Sequence, residues 1–182
     1  MKIDQNKLIE DLISRTREII VQAENYRGLP TEQVNRKPDP EKWSILECLE
    51  HLNLYGDFYL VEIERRILNS KSQTKRQFKS GLLGNYFANS MLPKNGKVKK
   101  MKTFRDKDPI NSELPPTTID RFLKQQNRMI GLLELAKKID LNKVKTSITI
   151  PVIKLRLGDT FRFVIYHNQR HMIQANKALA AI

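Results

Sequence analysis

One stretch near the C-terminus governs the interpretation of the whole chain: Tyr166-His167-Asn168-Gln169-Arg170-His171-Met172-Ile173-Gln174. Its two histidines are four residues apart, so on an α-helix their side chains lie one above the other on the same face. Two imidazoles at this spacing can reach one metal ion. The chain has three histidines, and the third, His51, lies far upstream in a second helical pattern. The sequence therefore indicates a site built from two helices.

The helix that carries the histidine pair is predicted to begin after Gly158, with Asp159 or Thr160 as its N-cap. Its inward residues recur at helical spacing, and both histidines fall among them. They are Phe161, Val164, His167 or Asn168, His171, Ala175, Ala178 and Ile182. Both imidazoles are therefore expected on the buried face.

A capping box, Ser44-Ile45-Leu46-Glu47, predicts the start of the helix that carries His51, and the apolar pattern continues to about Asn69. His51 lies at helical spacing from Cys48 and Tyr55, at the edge of the apolar face. Its side chain is thus expected to point inward or along a groove rather than into open solvent.

Two further helices are predicted, at 5–26 and 117–139. Asp4 can cap the first, Gly28 can take a left-handed conformation after it, and Thr117-Thr118-Ile119-Asp120 reads as a capping box for the second. Four amphipathic helices predict an all-α four-helix bundle, with long connections between the second and third and between the third and fourth helices. Bundles of this kind build metal sites from inward-facing side chains.

The two long connections have different patterns. Glycines and prolines interrupt 70–116, so no long helix is expected there. The segment 148–157 alternates like a strand, but no partner strand is evident and Pro151 weakens it. It is expected to be an extended connector that lies across the bundle.

The charge of the chain is concentrated in one segment. The 182 residues carry a net charge of +13, and 71–108 contains eleven Lys or Arg against two Asp, which is +9. A single domain over 1–182 is expected, with a basic insertion at about 70–116. No apolar run approaches the ~20 residues that span a bilayer. One cysteine, Cys48, gives no internal disulfide and fits a cytoplasmic location.

Two segments together resemble the DinB/YfiT-like superfamily: Trp43-Ser44-Ile45-Leu46-Glu47-Cys48-Leu49-Glu50-His51-Leu52 and His167-Asn168-Gln169-Arg170-His171-Met172-Ile173-Gln174. The resemblance implies a four-helix bundle with a three-histidine metal site, whose ligands here are His51, His167 and His171. Family members often have Glu directly after the first histidine of the pair. This chain has Asn168 there, so the resemblance implies no acid–base role at that position.

Alternative roles for these residues stay open. The three histidines could instead be separate core residues, each with its own hydrogen bond. Cys48 could turn toward the metal, although a core position under Trp43 accounts for it better. Glu47 could orient His51, but its capping box already accounts for it, and Gln174 is expected to pack at the end of the bundle.

The resemblance implies metal-dependent chemistry, either hydrolysis or S-transfer from a low-molecular-weight thiol. Three histidines leave a position open, as in catalytic metal sites, and imidazoles suit zinc, nickel or iron equally well. A small-molecule substrate is expected, including an anionic thiol attracted by a basic rim. No catalytic residue is identified, and a homodimer remains open.

A non-enzymatic binding module is the alternative function. The basic segment 70–108 contains Tyr86, Phe87 and Phe104, and such a segment could contact nucleic acid or an anionic surface. A charge run of this kind is more commonly a solvated basic loop. Nucleic acid is therefore not the expected partner.

Overall fold

A computed structural model describes residues 1–93 and 101–181, and within them the protein is predominantly helical. The elements are β1 (Lys2–Asp4), α1 (Gln5–Arg27), α2 (Thr31–Asn35), α3 (Ile45–Leu68), β2 (Gln77–Lys79), α4 (Leu82–Met91), α5 (Thr117–Ala136), β3 (Lys145–Ser147), β4 (Lys154–Arg156) and α6 (Leu157–Ala180). A short 3-10 turn lies at Arg105–Lys107. The prediction of an all-α four-helix bundle is confirmed.

The four long helices α1, α3, α5 and α6 form the bundle. Each of α1 and α3 packs against both α5 and α6, so α3 and α6 are neighbours along their lengths. Their inward faces bury Ile9, Ile63, Leu133 and Ile165 completely. This packing brings the histidine of α3 against the histidine pair of α6.

The predicted starts of the first two long helices are confirmed. The Asp4 carboxylate accepts hydrogen bonds from the backbone N–H groups of Asn6 and Lys7 at the start of α1. Ser44 and Glu47 form both bonds of a capping box at the start of α3. The prediction that Gly28 takes a left-handed conformation is wrong. The φ of Gly28 is −80°, in the right-handed region, and its N–H donates to the Tyr26 carbonyl.

The predicted start of α5 is wrong in its detail. Pro116 takes the N-cap position and no side chain caps the helix, so Thr117-Thr118-Ile119-Asp120 forms no capping box. Proline has no N–H to satisfy and a fixed φ near the helical value, which lets the helix begin directly after it.

The predicted start of α6 is also wrong. The helix begins at Leu157, before Gly158, so neither Asp159 nor Thr160 is its N-cap. A side chain at Gly158 would place its Cβ 2.6 Å from the Phe78 ring on β2, and glycine is what allows this close approach. Asp159 lies in the first turn, fully buried, and its carboxylate accepts hydrogen bonds from the segment before α4.

The segment 70–116 contains more regular structure than the sequence indicates. Strand β2 pairs antiparallel with β1, and the ten-residue helix α4 packs along α6. Glycines in and beside this short helix hide its period in the sequence. The predicted basic turn lies mostly at 94–100, outside the described residues.

The segment 148–157 is not an unpaired connector. Strand β4 pairs antiparallel with β3 over three residues each, and 148–153 forms the tip of this hairpin. The prediction missed the pairing because the partner strand, Lys145-Thr146-Ser147, is short and polar. At the tip, Val152 is fully exposed and has a φ of 69°, in the left-handed region.

Candidate metal centre

Two neighbouring helices position the three histidines. His51 lies about two turns into α3, and His167 and His171 lie one turn apart on α6. All three side chains are buried. The predicted site residues are therefore brought together, and they do not occupy separate places in the core.

The side chains converge through their Nε2 atoms. His167 Nε2 lies 3.2 Å from His51 Nε2 and 3.1 Å from His171 Nε2. Two nitrogens held by one tetrahedral zinc ion at 2.0–2.1 Å would lie about 3.3 Å apart. Among the described residues, these three form the one group of His, Cys, Asp or Glu side chains that could hold a metal ion.

The hydrogen bonds on the far side of two rings fix their orientation. His51 Nδ1 lies 2.6 Å from the Lys107 carbonyl oxygen, and His171 Nδ1 lies 3.0 Å from Gln174 Oε1. Because both partners are acceptors, each Nδ1 carries the proton and each Nε2 presents a lone pair to the centre. His167 Nε2 can hold at most one proton, so hydrogen bonds alone do not satisfy all three nitrogens well. A cation bound between them would satisfy all three nitrogens, and the donor set fits a divalent transition metal ion.

Burial keeps the three imidazoles neutral. Desolvation is the main cause in each case, and it lowers the pKa of His51 to about 4. The pKa values of His167 and His171 are also well below the usual value, because of burial and then of the neighbouring histidines and Arg170. Neutral imidazole is the form that binds metal.

Trp43 and the end of the basic segment at Lys107 and Asp108 close one side of the site. The Trp43 ring packs on His51 and His171, with centroids 4.7 and 5.6 Å away. Its Nε1–H donates to Asp108 Oδ1 at 3.2 Å, directly after the Lys107 carbonyl that holds His51. The described end of the insertion is therefore part of the site.

A cavity of about 950 Å³ opens onto the three histidines. This volume is within the range of small-molecule sites. Its charged lining among the described residues is mixed, with four basic and three acidic side chains: Lys42, Lys102, Arg170, Lys177, Asp39, Glu41 and Asp108. The strongly basic rim expected from the sequence is not found among these residues.

The other sequence candidates lie outside the centre, with one exception. Cys48 is fully buried in the apolar core and does not line the cavity. Glu47 serves its capping box and also accepts from the Asn111 backbone N–H. Asn168 points to α5, where its Nδ2 donates to Gln126 Oε1 at 2.8 Å. Gln174 is the exception: it bonds His171, so the expectation that it only packs at the bundle end is wrong.

Sequence reasoning missed two groups at the site. The Lys107 carbonyl is a main-chain atom, and no side-chain pattern marks it. Tyr55 belongs to the apolar face predicted from the sequence, yet its ring packs 4.9 Å from His51 and 4.8 Å from His167. Tyr55 follows His51 by one helical turn, and this spacing could have indicated that the two side chains lie on the same face.

The fold and the site together define a class: a four-helix bundle with a buried three-histidine centre between α3 and α6. A family profile described as the DinB superfamily matches residues 13–175. The chain therefore belongs to the DinB superfamily, and the resemblance seen in the sequence is confirmed. Searches among curated proteins and solved structures gave no match. No helix of the described residues is long and apolar enough to cross a bilayer.

Proposed function

We propose that this protein is a metal-dependent enzyme that activates water or a low-molecular-weight thiol, acting as a hydrolase or a thiol S-transferase. His51, His167 and His171 would hold a divalent transition metal ion. The observation that carries the proposal is the convergence of three neutral imidazoles on one point in the lining of a cavity. When bound, such an ion lowers the pKa of a coordinated water or thiol toward neutrality.

The surrounding residues prepare the site for a ligand. Trp43 and Phe163 pack against the histidines on two sides and limit the access of water. Burial raises the pKa of Tyr55 to about 12, with smaller contributions from Tyr59 and Asp106. Tyr55 therefore stays protonated at neutral pH and can donate a hydrogen bond to an oxygen of the ligand.

The mixed charge of the lining bears on the choice of thiol. Lys42, Lys102 and Lys177 can pair with carboxylates of a ligand, whereas Asp39 and Glu41 can pair with an amino group. A zwitterionic thiol such as cysteine or glutathione fits this lining better than a polyanion. For S-transfer, the thiol sulfur forms a bond to the electrophilic carbon, the leaving group departs with its electron pair, and the thiol proton passes to solvent.

The experiment has two stages. Elemental analysis of purified protein should show about one transition metal ion per chain, and much less in His167→Ala. Loaded protein is then given glutathione with 1-chloro-2,4-dinitrobenzene, or 4-nitrophenyl acetate alone. Turnover in either assay that is lost in His51→Ala supports the proposal. Equal metal content in wild type and His167→Ala contradicts it.

A further inference from the structure

The described lining of the cavity differs in chemistry before and after the three histidines along α3 and α6. Its charged lining residues come from the loop before α3, from 102–108 and from the second half of α6. In the other direction the described lining residues are uncharged, and we define the distal arm of the cavity by six of these side chains. They are Tyr59, Phe87, Ile148, Ile150, Leu155 and Phe163.

Two helical rows lead from the histidines into the distal arm. On α3, Tyr55 and Tyr59 follow His51 at intervals of one turn, and their rings are parallel with centroids 6.2 Å apart. On α6, Phe163 lies one turn before His167, and these rings are also parallel at 6.0 Å. Facing aromatic rows of this kind form flat walls on which a planar or extended apolar group can pack.

Other elements close the far end of the arm. Tyr59 and Phe163 pack at a centroid distance of 5.8 Å, and Phe87 of α4 packs on Phe163 at 6.5 Å. The Tyr59 hydroxyl accepts from the Thr149 backbone N–H at 3.3 Å, which fixes the hairpin tip over this end. The arm thus offers apolar surface, and the Tyr59 hydroxyl already has a protein partner.

We propose that the distal arm binds the apolar tail of the substrate, an aryl or alkyl chain, while the reactive polar end of the substrate lies at the three histidines. The proposal rests on the metal-dependent function proposed above and adds the class of substrate. Tyr59 is eight residues beyond His51, which is about 12 Å along a helix. A phenyl group on three or four methylenes is long enough to reach along most of this distance.

The test uses two series of probes. With zinc-loaded protein, acetohydroxamic acid is compared with 3-phenylpropano- and 4-phenylbutanohydroxamic acid, which share the metal-binding group and differ in the tail. With metal-free protein, 4-phenyl-1-butanol is the probe. Trp43 is the sole tryptophan and lines the cavity, so its fluorescence can report binding in both series. Each methylene buried should tighten binding about fourfold.

Two matched pairs of variants locate the tail. Phe87→Ala removes a wall of the arm, and Tyr86→Ala is its control because Tyr86 is 70% exposed and does not line the cavity. Ile150→Ala and Val152→Ala form the second pair on the hairpin tip. This pair leaves α4 unchanged and serves if Phe87→Ala does not fold.

The expected result is that 4-phenylbutanohydroxamic acid binds about 100-fold more tightly than acetohydroxamic acid. Phe87→Ala and Ile150→Ala should reduce this ratio several-fold, and both control variants should keep it. Equal binding of long and short hydroxamates, or equal effects of test and control variants, would overturn the proposal. If zinc does not bind, the metal-dependent function fails by itself. In that case the metal-free series decides the proposal for the arm. Binding of 4-phenyl-1-butanol that Phe87→Ala weakens would support it, and no such binding would overturn it.

Discussion

His51 Nδ1 lies 2.6 Å from the carbonyl oxygen of Lys107, a residue 56 positions further along the chain. The bond couples the N-terminal third of α3 to the end of the basic segment at Lys107. It sets the tautomer of His51 and directs its Nε2 toward the two histidines of α6. Hydrogen bonds of this kind to the outer ring nitrogen tune metal affinity in histidine sites.

Asp108 is predicted to hold the Lys107 carbonyl in place. Asp108 Oδ1 accepts from Trp43 Nε1 and from the Ile110 backbone N–H. Asp108→Ala should release this segment and lower zinc affinity by about 10–100-fold, as measured by competition with a chromophoric chelator. Asp106→Ala is the control, because the Asp106 side chain is largely exposed and pairs with the Lys107 ammonium. Equal zinc affinities in the two variants would show that the carbonyl does not depend on this anchor.

Gln174 is predicted to be a positioning residue for His171. Removing its acceptor in Gln174→Ala should weaken zinc binding by about 10–100-fold, whereas Gln174→Glu keeps an acceptor and should bind nearly as well as wild type. Nitrogen-15 NMR of the imidazoles gives a second readout, since loss of the bond should mix the tautomers of His171. Gln169→Ala on the same helix is the control, because Gln169 bonds Arg15 instead. Wild-type affinity and a single tautomer in Gln174→Ala would refute the role.

The ion pair between Asp159 and Arg162 should contribute strongly to stability. The two side chains are 3.1 Å apart and almost wholly buried. Arg162 also donates to Asn85 and Asn89, which ties α6 to α4. Breaking the pair with Arg162→Met leaves a buried carboxylate without its cation and should cost about 3–5 kcal/mol in the free energy of unfolding.

An exposed ion pair provides the comparison for this measurement. Arg128 and Glu64 form a bridge between α5 and α3, and both side chains are about 40% exposed. Arg128→Met should cost at most about 1 kcal/mol, because solvent screens exposed charges. Similar losses for the two variants in urea unfolding would contradict the importance assigned to burial.

Glu62 should make the stability depend on acidic pH. Burial raises the pKa of its carboxyl, but hydrogen bonds from the Ser147 backbone N–H, Arg66 and Arg65 outweigh burial and bring the pKa to about 2. Because this is below the ordinary value of 4.5, the contribution is fully present above about pH 4.5 and is lost as the pH falls toward 2.

Glu62→Gln tests this dependence. The variant should be less stable than wild type by about 1–3 kcal/mol at pH 7, and the difference should shrink between pH 4.5 and 2. Glu64→Gln is the control on the same helix: its side chain is about 40% exposed, so its stability should differ little from that of wild type. A stability difference for Glu62→Gln that stays constant across this range would exclude the assigned titration.

The sequence was sufficient for the parts of this protein that depend on periodic side chains. The apolar periodicity of four segments predicted the bundle. The spacing of His167 and His171, and the inward place of His51 behind a capping box, predicted the histidine cluster. Local side-chain patterns carry this information because a helix face repeats every three to four residues.

Other features depend on contacts that no local pattern records. The Lys107 carbonyl reaches His51 through the path of a connection, and a main-chain atom has no signature in the sequence. Asp159 has the side chain of an N-cap, but its carboxylate accepts from the Gly81 backbone N–H instead, and α6 begins two residues earlier, at Leu157. The strand pairing of Lys145–Ser147 was missed since three polar residues show no alternation.

X-ray absorption spectroscopy of zinc-loaded protein tests the central claim most directly. The account predicts three imidazole nitrogens at about 2.0–2.1 Å in wild type and two in His167→Ala, with Cys48→Ala unchanged from wild type. Sulfur scattering at about 2.3 Å would instead assign Cys48 as a ligand. A zinc spectrum without imidazole scattering would contradict the three-histidine centre.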